Sequence, residues 1–211
     1  MTEARRWMAV AAGGFALLAA LCLFWLDPLI ASATAGGARD TFWDIGTALL
    51  DLLVLKEVDN FFPGALLILA ALVALAVRST RRSFGWPLLY VALVQFLSTV
   101  AADLSKPPFG RLRPFEAAAR DVPDAWFVGA NSFPSGHAAF YAGLFFPLMI
   151  LFPRGAPLLA VPPLFIAIAR VAEHDHYASD VAASLAFAAG LSAALAFLVR
   201  RAPPESASPS P

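Results

Sequence analysis

Residues 137–172, HAAFYAGLFFPLMILFPRGAPLLAVPPLFIAIARVA, hold two apolar runs separated by a four-residue turn whose one charge is Arg154. Each run, His137–Phe152 and Pro157–Ala172, is too long and too apolar for an ordinary strand, and a bilayer span needs ~20 mostly apolar residues. Working outward, the pattern recurs upstream at Trp86–Ala102, Phe62–Val77 and Trp7–Leu26, and downstream at Asp180–Val199. The expected fold is therefore all-α, a six-transmembrane-helix bundle forming one integral-membrane domain over residues 1–201. The Pro/Ser-rich stretch 202–211 reads as a disordered tail. Composition agrees: 60% of the 211 residues are hydrophobic and 14% charged, where a soluble domain carries roughly a quarter charged.

Charge placement orients the six spans. Arg5 and Arg6 precede the first; Arg78, Arg81 and Arg82 follow the second; Arg154 follows the fourth; Arg200 and Arg201 follow the last. With a cytoplasmic N-terminus all of these are cytoplasmic, while Asp40, Asp44, Asp51, Glu57, Asp59, Asp121 and Asp124 lie opposite. This layout suits a bacterial inner membrane, with both termini cytoplasmic and the acidic loops periplasmic. A net charge of zero gives no electrostatic case for nucleic acid. The single cysteine, Cys22, excludes an internal disulfide and a Cys-based metal site.

The outer loops are the long ones. Within 27–61, Asp44, Thr47 and Asp51 recur at helical spacing among Trp43, Leu49, Leu50, Leu52 and Leu53. An amphipathic helix lying at the membrane interface and a helix packed on the bundle both fit that pattern. Arg5-Arg6, an apolar run and Ala31-Ser32-Ala33 resemble a signal peptide. The run exceeds a typical signal core and Asp27-Pro28 interrupts it, so an uncleaved first helix is the expectation.

The chain's three histidines, His137, His174 and His176, all fall at outer helix ends, with Lys106, Arg113, Arg170 and Asp180. Pro134-Ser135-Gly136-His137 opens the fourth span. Gly136 permits close backbone approach, and the free first-turn N–H groups favour an anion; Ser135 also serves as an ordinary cap. Lys106 and Arg113 offer a point charge and a fork of donors for phosphate oxygens, although either alone reads as a snorkelling charge. Arg111 and Arg120 read as solvated or headgroup-facing. His176 and Asp180, four apart, share a helix face, and a carboxylate on one imidazole nitrogen leaves the other as a nucleophile. Asp180 would equally favour the dipole at its helix start. Arg170, an intramembrane charge, is functional by default, and His174 reads as a loop residue. A zinc site from the histidines and an acid is the rival, but three neighbouring cations suit an anion better.

Lys106 to Arg113-Pro114, then Pro134-Ser135-Gly136-His137, then Arg170 to His176 to Asp180 resemble the three-part signature of the type 2 phosphatidic acid phosphatase superfamily. Ala169 departs from it, since members often carry Ser before the third-motif arginine. The resemblance implies a membrane lipid phosphatase acting through a phosphohistidine. His176 would attack, oriented by Asp180. His137 would protonate the leaving oxygen. Lys106, Arg113, Ser135, Gly136 and Arg170 would hold phosphate, with no metal and no cofactor. The expected partners are a lipid phosphate and membrane lipids, with undecaprenyl pyrophosphate, phosphatidylglycerol phosphate, phosphatidic acid and lipid A phosphates all fitting. Trp43, Phe115, Trp126 and Phe127 are candidates for lipid contact or for interfacial anchoring. A vanadate-binding haloperoxidase-like protein, a transporter and a non-hydrolytic lipid binder are the rival uses. Continuous apolar helices oppose the first, and clustering of the polar groups at one face opposes the second. The complete set of His137, His176 and Asp180 opposes the third.

Overall fold

The computed structural model describes residues 2–35 and 41–200, so Asp40, Arg201 and the tail 202–211 lie outside the described residues. Among the described residues every regular element is helical. In chain order they are α1 (Thr2–Leu21), α2 (Asp27–Thr34), α3 (Thr41–Leu53), α4 (Phe62–Ala76), α5 (Trp86–Phe109) and α6 (Pro114–Arg120), then α7 (Gly136–Leu151), α8 (Ala156–Leu159), α9 (Val161–Ala172), α10 (Ala178–Leu195) and α11 (Phe197–Arg200). Among the described residues, four stretches are long and apolar enough to cross a membrane: Thr2–Thr34, Ser83–Arg120, Pro153–Ala172 and Ala178–Val199. Two of the six expected spans, Phe62–Ala76 and Gly136–Leu151, are apolar but shorter. The 16 residues of α7 reach about 24 Å at ~1.5 Å per residue, against a hydrocarbon core of ~30 Å.

Two helices outrun the boundaries expected from sequence. The first continues through a π-helical turn, Cys22–Leu26, into α2. Pro28 lies in the first turn of α2, where a missing N–H is tolerated, and Asp27 is 2% exposed, held inside the fold by the Arg111 guanidinium. α5 runs past Ala102 through Pro107 and Pro108 to Phe109, where Gly110, at φ 51°, caps it by donating its N–H to the Lys106 carbonyl at 2.8 Å. Lys106 therefore sits on the last turn of a helix instead of in a loop.

α1 packs along α10, and α5, α7 and α10 form the centre. Tyr90, Val91 and Val94 of α5 meet Ala138, Ala142, Phe146 and Ile150 of α7 and Val181, Leu185, Ala188 and Ala189 of α10. Small residues on α7 and α10 let the backbones close in, the usual way membrane helices gain packing when lipid is as apolar as leucine. Gly143 is the tightest such point between α5 and α7: a Cβ there would stand 2.9 Å from Ser98 Cβ and 3.0 Å from Gln95 Cα. Outward faces carry large apolar side chains, among them Trp7, Phe24, Trp25, Leu69, Leu104 and Ile168, all exposed. Soluble monomers rarely expose apolar surface on this scale. The chain is an integral membrane protein.

α3 packs on α9, with Phe165 against Phe42, Trp43 and Gly46. Its polarity runs opposite to that of a soluble helix. Thr47 and Asp51 are buried, whereas Phe42, Ile45, Leu49, Leu52 and Leu53 are exposed.

Candidate active site

The histidines and cations singled out for the site lie at one end of the bundle, and four segments bring most of them to one cavity. α5 presents Thr99, Asp103 and Lys106 at spacings that share one helix face. The turn before α6 presents Arg113, whose backbone N–H donates to Glu116 Oε2 at 2.9 Å, with Pro114 opening the helix. The start of α7 presents Gly136 and His137, and the approach to α10 presents His176. With Asn60 and Phe61 from the entry to α4, these residues line one cavity of about 190 Å³. Lys106 Nζ would stand 3.4 Å from a Cβ at Gly136, so the ammonium lies against the helix start. Lys106 also pairs with Asp103 at 3.6 Å.

Ser135, Arg170 and Asp180 stand behind that lining. Ser135 is fully buried and caps α7, accepting from the Ala138 N–H at 3.4 Å. Arg170 is held by Thr47 Oγ1 at 3.2 Å, by Asp175 at 2.8 Å and by an ion pair with Glu173. Burial raises the Glu173 carboxyl to about 7 despite the pull of Arg170, and the neighbouring Asp44 adds to the rise. His174, at φ 63°, turns away from the cavity and donates through Nε2 to the Ala31 carbonyl at 2.8 Å. It ties the turn before α10 to α2.

His176 Nδ1 lies 3.6 Å from Asp180 Oδ2, an ion-pair distance beyond ordinary hydrogen-bond reach. Asp180 itself is fixed from three sides. Ser132 donates to it at 2.6 Å, the Tyr177 N–H at 3.0 Å and Arg111 Nη1 at 2.5 Å. Arg111 corrects the sequence reading: it is neither solvated nor headgroup-facing but 0% exposed. Its guanidinium also binds Asp27 at 2.8 Å, Asp124 at 2.6 Å and Ser179 Oγ at 2.7 Å, between the rings of Trp126 and Tyr177 at 4.6 and 3.9 Å. Three carboxylates around one guanidinium offset the cost of burying it. Arg120, by contrast, is exposed as expected.

The residues around His137 escaped the sequence reading as site residues. Its Nε2 is 3.0 Å from Asp51 Oδ2 and 2.9 Å from Lys56 Nζ, and Tyr141 donates to Asp51 Oδ1 at 2.7 Å. Burial works to raise the Asp51 carboxyl, but the His137 hydrogen bond and charge, Tyr141 and Lys56 outweigh it and hold it below the usual range. Burial pushes the Lys56 ammonium below the ordinary lysine value, offset in part by Asp51. The available signal was Asp44, Thr47 and Asp51, about one turn apart on a largely apolar helix, a polar stripe that has to face something polar. Among the described residues no three His, Cys, Asp or Glu side chains gather as metal ligands would.

A family model described as PAP2 superfamily matches residues 83–203. Over 121 residues, 56% of the chain, the sequence is 31% identical to a lipid A 1-phosphatase of Rhizobium johnstonii, the match covering 50% of that protein. It is 30% identical over 121 residues to a lipid A 1-phosphatase of Rhizobium etli, covering 52% of that protein. The chain thus spans about half the length of the relatives it matches. A crystal structure of a transmembrane PAP2-type phosphatidylglycerolphosphate phosphatase from Bacillus subtilis superposes with a TM-score of 0.57 at 20% identity, over 92% of this chain and 94% of that one. That likeness concerns the fold.

Proposed function

The chain belongs to the PAP2 superfamily, and on that premise we propose that it is a lipid phosphatase working through a phosphohistidine on His176. The observation that carries the reading is the single cavity shared by Lys106, Arg113, Gly136, His137 and His176, with Asp180 behind His176. Asp180 beside Nδ1 leaves Nε2 of His176 as the nucleophile. It attacks phosphorus in line; the bond from phosphorus to the lipid oxygen breaks, and His137 gives that oxygen its proton. Water, deprotonated in turn by His137, then attacks the phosphohistidine, releases inorganic phosphate and restores both imidazoles. Lys106 and Arg113 take the phosphoryl oxygens with the Gly136 N–H at the start of α7, and Ser135 and Arg170 support them from behind. Charge developing on those oxygens is met by donors already in place. On this reading the chain's own cations do the work and no metal is required.

The substrate is a lipid phosphate monoester or pyrophosphate presented at headgroup level. The likeness to two lipid A 1-phosphatases supports lipid A 1-phosphate as the first candidate to try. Six spans, with both termini cytoplasmic and the cavity periplasmic in a bacterial inner membrane, follow from the arginine layout. In that setting α3 lies at the interface with its apolar side chains outward.

The test is phosphate release by purified protein in detergent with EDTA, across lipid A 1-phosphate, undecaprenyl pyrophosphate, phosphatidylglycerol phosphate and phosphatidic acid. Release from at least one class is expected, unchanged by EDTA and abolished in His176→Ala, while that variant keeps its melting transition. Wild-type turnover in His176→Ala would remove the nucleophile. Inhibition by EDTA that zinc reverses would replace the cationic mechanism with a metal-assisted one.

A further inference from the structure

We propose that Asp51 is the positioning carboxylate of His137, so that the cavity is served by two histidine–carboxylate pairs, one on the attacking imidazole and one on the acid–base imidazole. The inference rests on the role given to His137 above. It adds a residue from α3, which lies before the stretch matched by the family model and outside every motif of the three-part signature.

The geometry is closer than that of the other pair. Asp51 Oδ2 stands 3.0 Å from His137 Nε2, against 3.6 Å between His176 and Asp180. The Asp51 side chain is 8% exposed, and its second oxygen is taken by the Tyr141 hydroxyl at 2.7 Å, one turn along α7 from His137. That bond fixes the carboxylate relative to the helix that carries the imidazole. With Nε2–H committed to Asp51, Nδ1 is the ring nitrogen left for the substrate. In the first step imidazolium Nδ1–H passes its proton to the leaving lipid oxygen, and the neutral ring keeps its Nε2–H on Asp51. In the second step the Nδ1 lone pair takes a proton from the attacking water, and the imidazolium is restored. The Nε2 proton never leaves, so the tautomer is the same at the start of every cycle.

Lys56 opposes this arrangement. Its Nζ is 2.9 Å from the same Nε2, and one nitrogen cannot donate to Asp51 and accept from Lys56 at once. Asp51 selects Nε2–H and the imidazolium; Lys56, whose Nζ also lies 3.6 Å from Asp51 Oδ2, then pairs with the carboxylate and not with the ring.

The experiment separates leaving groups. A lipid alkoxide needs a proton as it departs, whereas nitrophenolate does not. The best lipid phosphate of the four above is compared with p-nitrophenyl phosphate by kcat/KM, which reports formation of the phosphohistidine and not the water attack common to both substrates, for wild type, His137→Gln, Asp51→Asn and the double variant. His137→Gln should lose on the order of 10²-fold on the lipid and far less on the aryl ester, the span expected for a general acid. Asp51→Asn should show the same selective loss, about tenfold or more on the lipid, and the double variant should be no slower than His137→Gln alone. Tyr141→Phe, which keeps the carboxylate but frees it, should show a smaller loss of the same selectivity; it carries the test if Asp51→Asn loses its melting transition. Equal losses on both substrates, or none, in Asp51→Asn and Tyr141→Phe while His137→Gln discriminates would overturn the proposal and leave the phosphatase reading standing. A His137→Gln variant that does not discriminate, or no release from any lipid, would take both down.

Discussion

Arg111 shows at the scale of one residue what a local pattern cannot carry. Two positions before Arg113 and next to Gly110, it has the neighbours of a surface loop, and solvation is the natural reading. Of its partners, Asp124 is 13 residues on, but Asp27 and Asp180 are 84 and 69 residues away in sequence, so a window around it holds only one of the three carboxylates that keep it buried. Asp27 did offer a clue, because an acid inside an apolar run needs a counter-charge. The signature residues were legible for the opposite reason: Lys106, Arg113, Gly136, His137 and His176 have spacing that identifies them, and the structure gathers those five around one cavity. Breaking a buried ion cluster by removing one member costs ~3–5 kcal/mol. Arg111→Met should therefore lower the melting temperature in detergent sharply and abolish phosphate release. Arg111→Lys, which keeps the charge but not the fork, should fall between. A wild-type melting curve for Arg111→Met would show that the cluster holds nothing together.

At the scale of elements, apolar runs located the helices but not their ends. The runs stop where charge or proline begins, yet α1 continues into α2 past Asp27-Pro28, and α5 continues past Pro107-Pro108. Tertiary partners decide those ends: Arg111 for Asp27, and the cavity for Lys106. Pattern left the setting of α3 open between an interface and the bundle. Contact with α9 answers only half of that, because the outward apolar face is also what an interfacial helix would show. Helix packing is the element-level property most sensitive to small changes. Gly143→Ala would bring a Cβ within 3.0 Å of both Ser98 Cβ and Gln95 Cα, and separating α5 from α7 costs about 1–3 kcal/mol for overpacking of this kind. The variant should melt lower and lose turnover together, since α5 carries Lys106 and α7 carries His137. Unchanged melting would mean that the two helices slide apart without strain.

For the whole molecule, the proposed orientation rests on the arginine layout and sets the side to which the cavity opens. A membrane-impermeant thiol reagent added to intact spheroplasts should label Asp121→Cys at once and Arg154→Cys only after permeabilisation; both positions are exposed, and native Cys22, 2% exposed, stays silent. The reverse order would invert the protein in its membrane. The Arg111 cluster bears in another way on how the molecule comes into being. It joins the end of the first helix to the start of α10, so a chain still emerging from the ribosome has its cavity cations and His137 before it has the carboxylate proposed to orient His176. On the proposed mechanism, hydrolytic power would arrive only when the last long helix is inserted, and a truncated or stalled product would leave the lipids around it untouched.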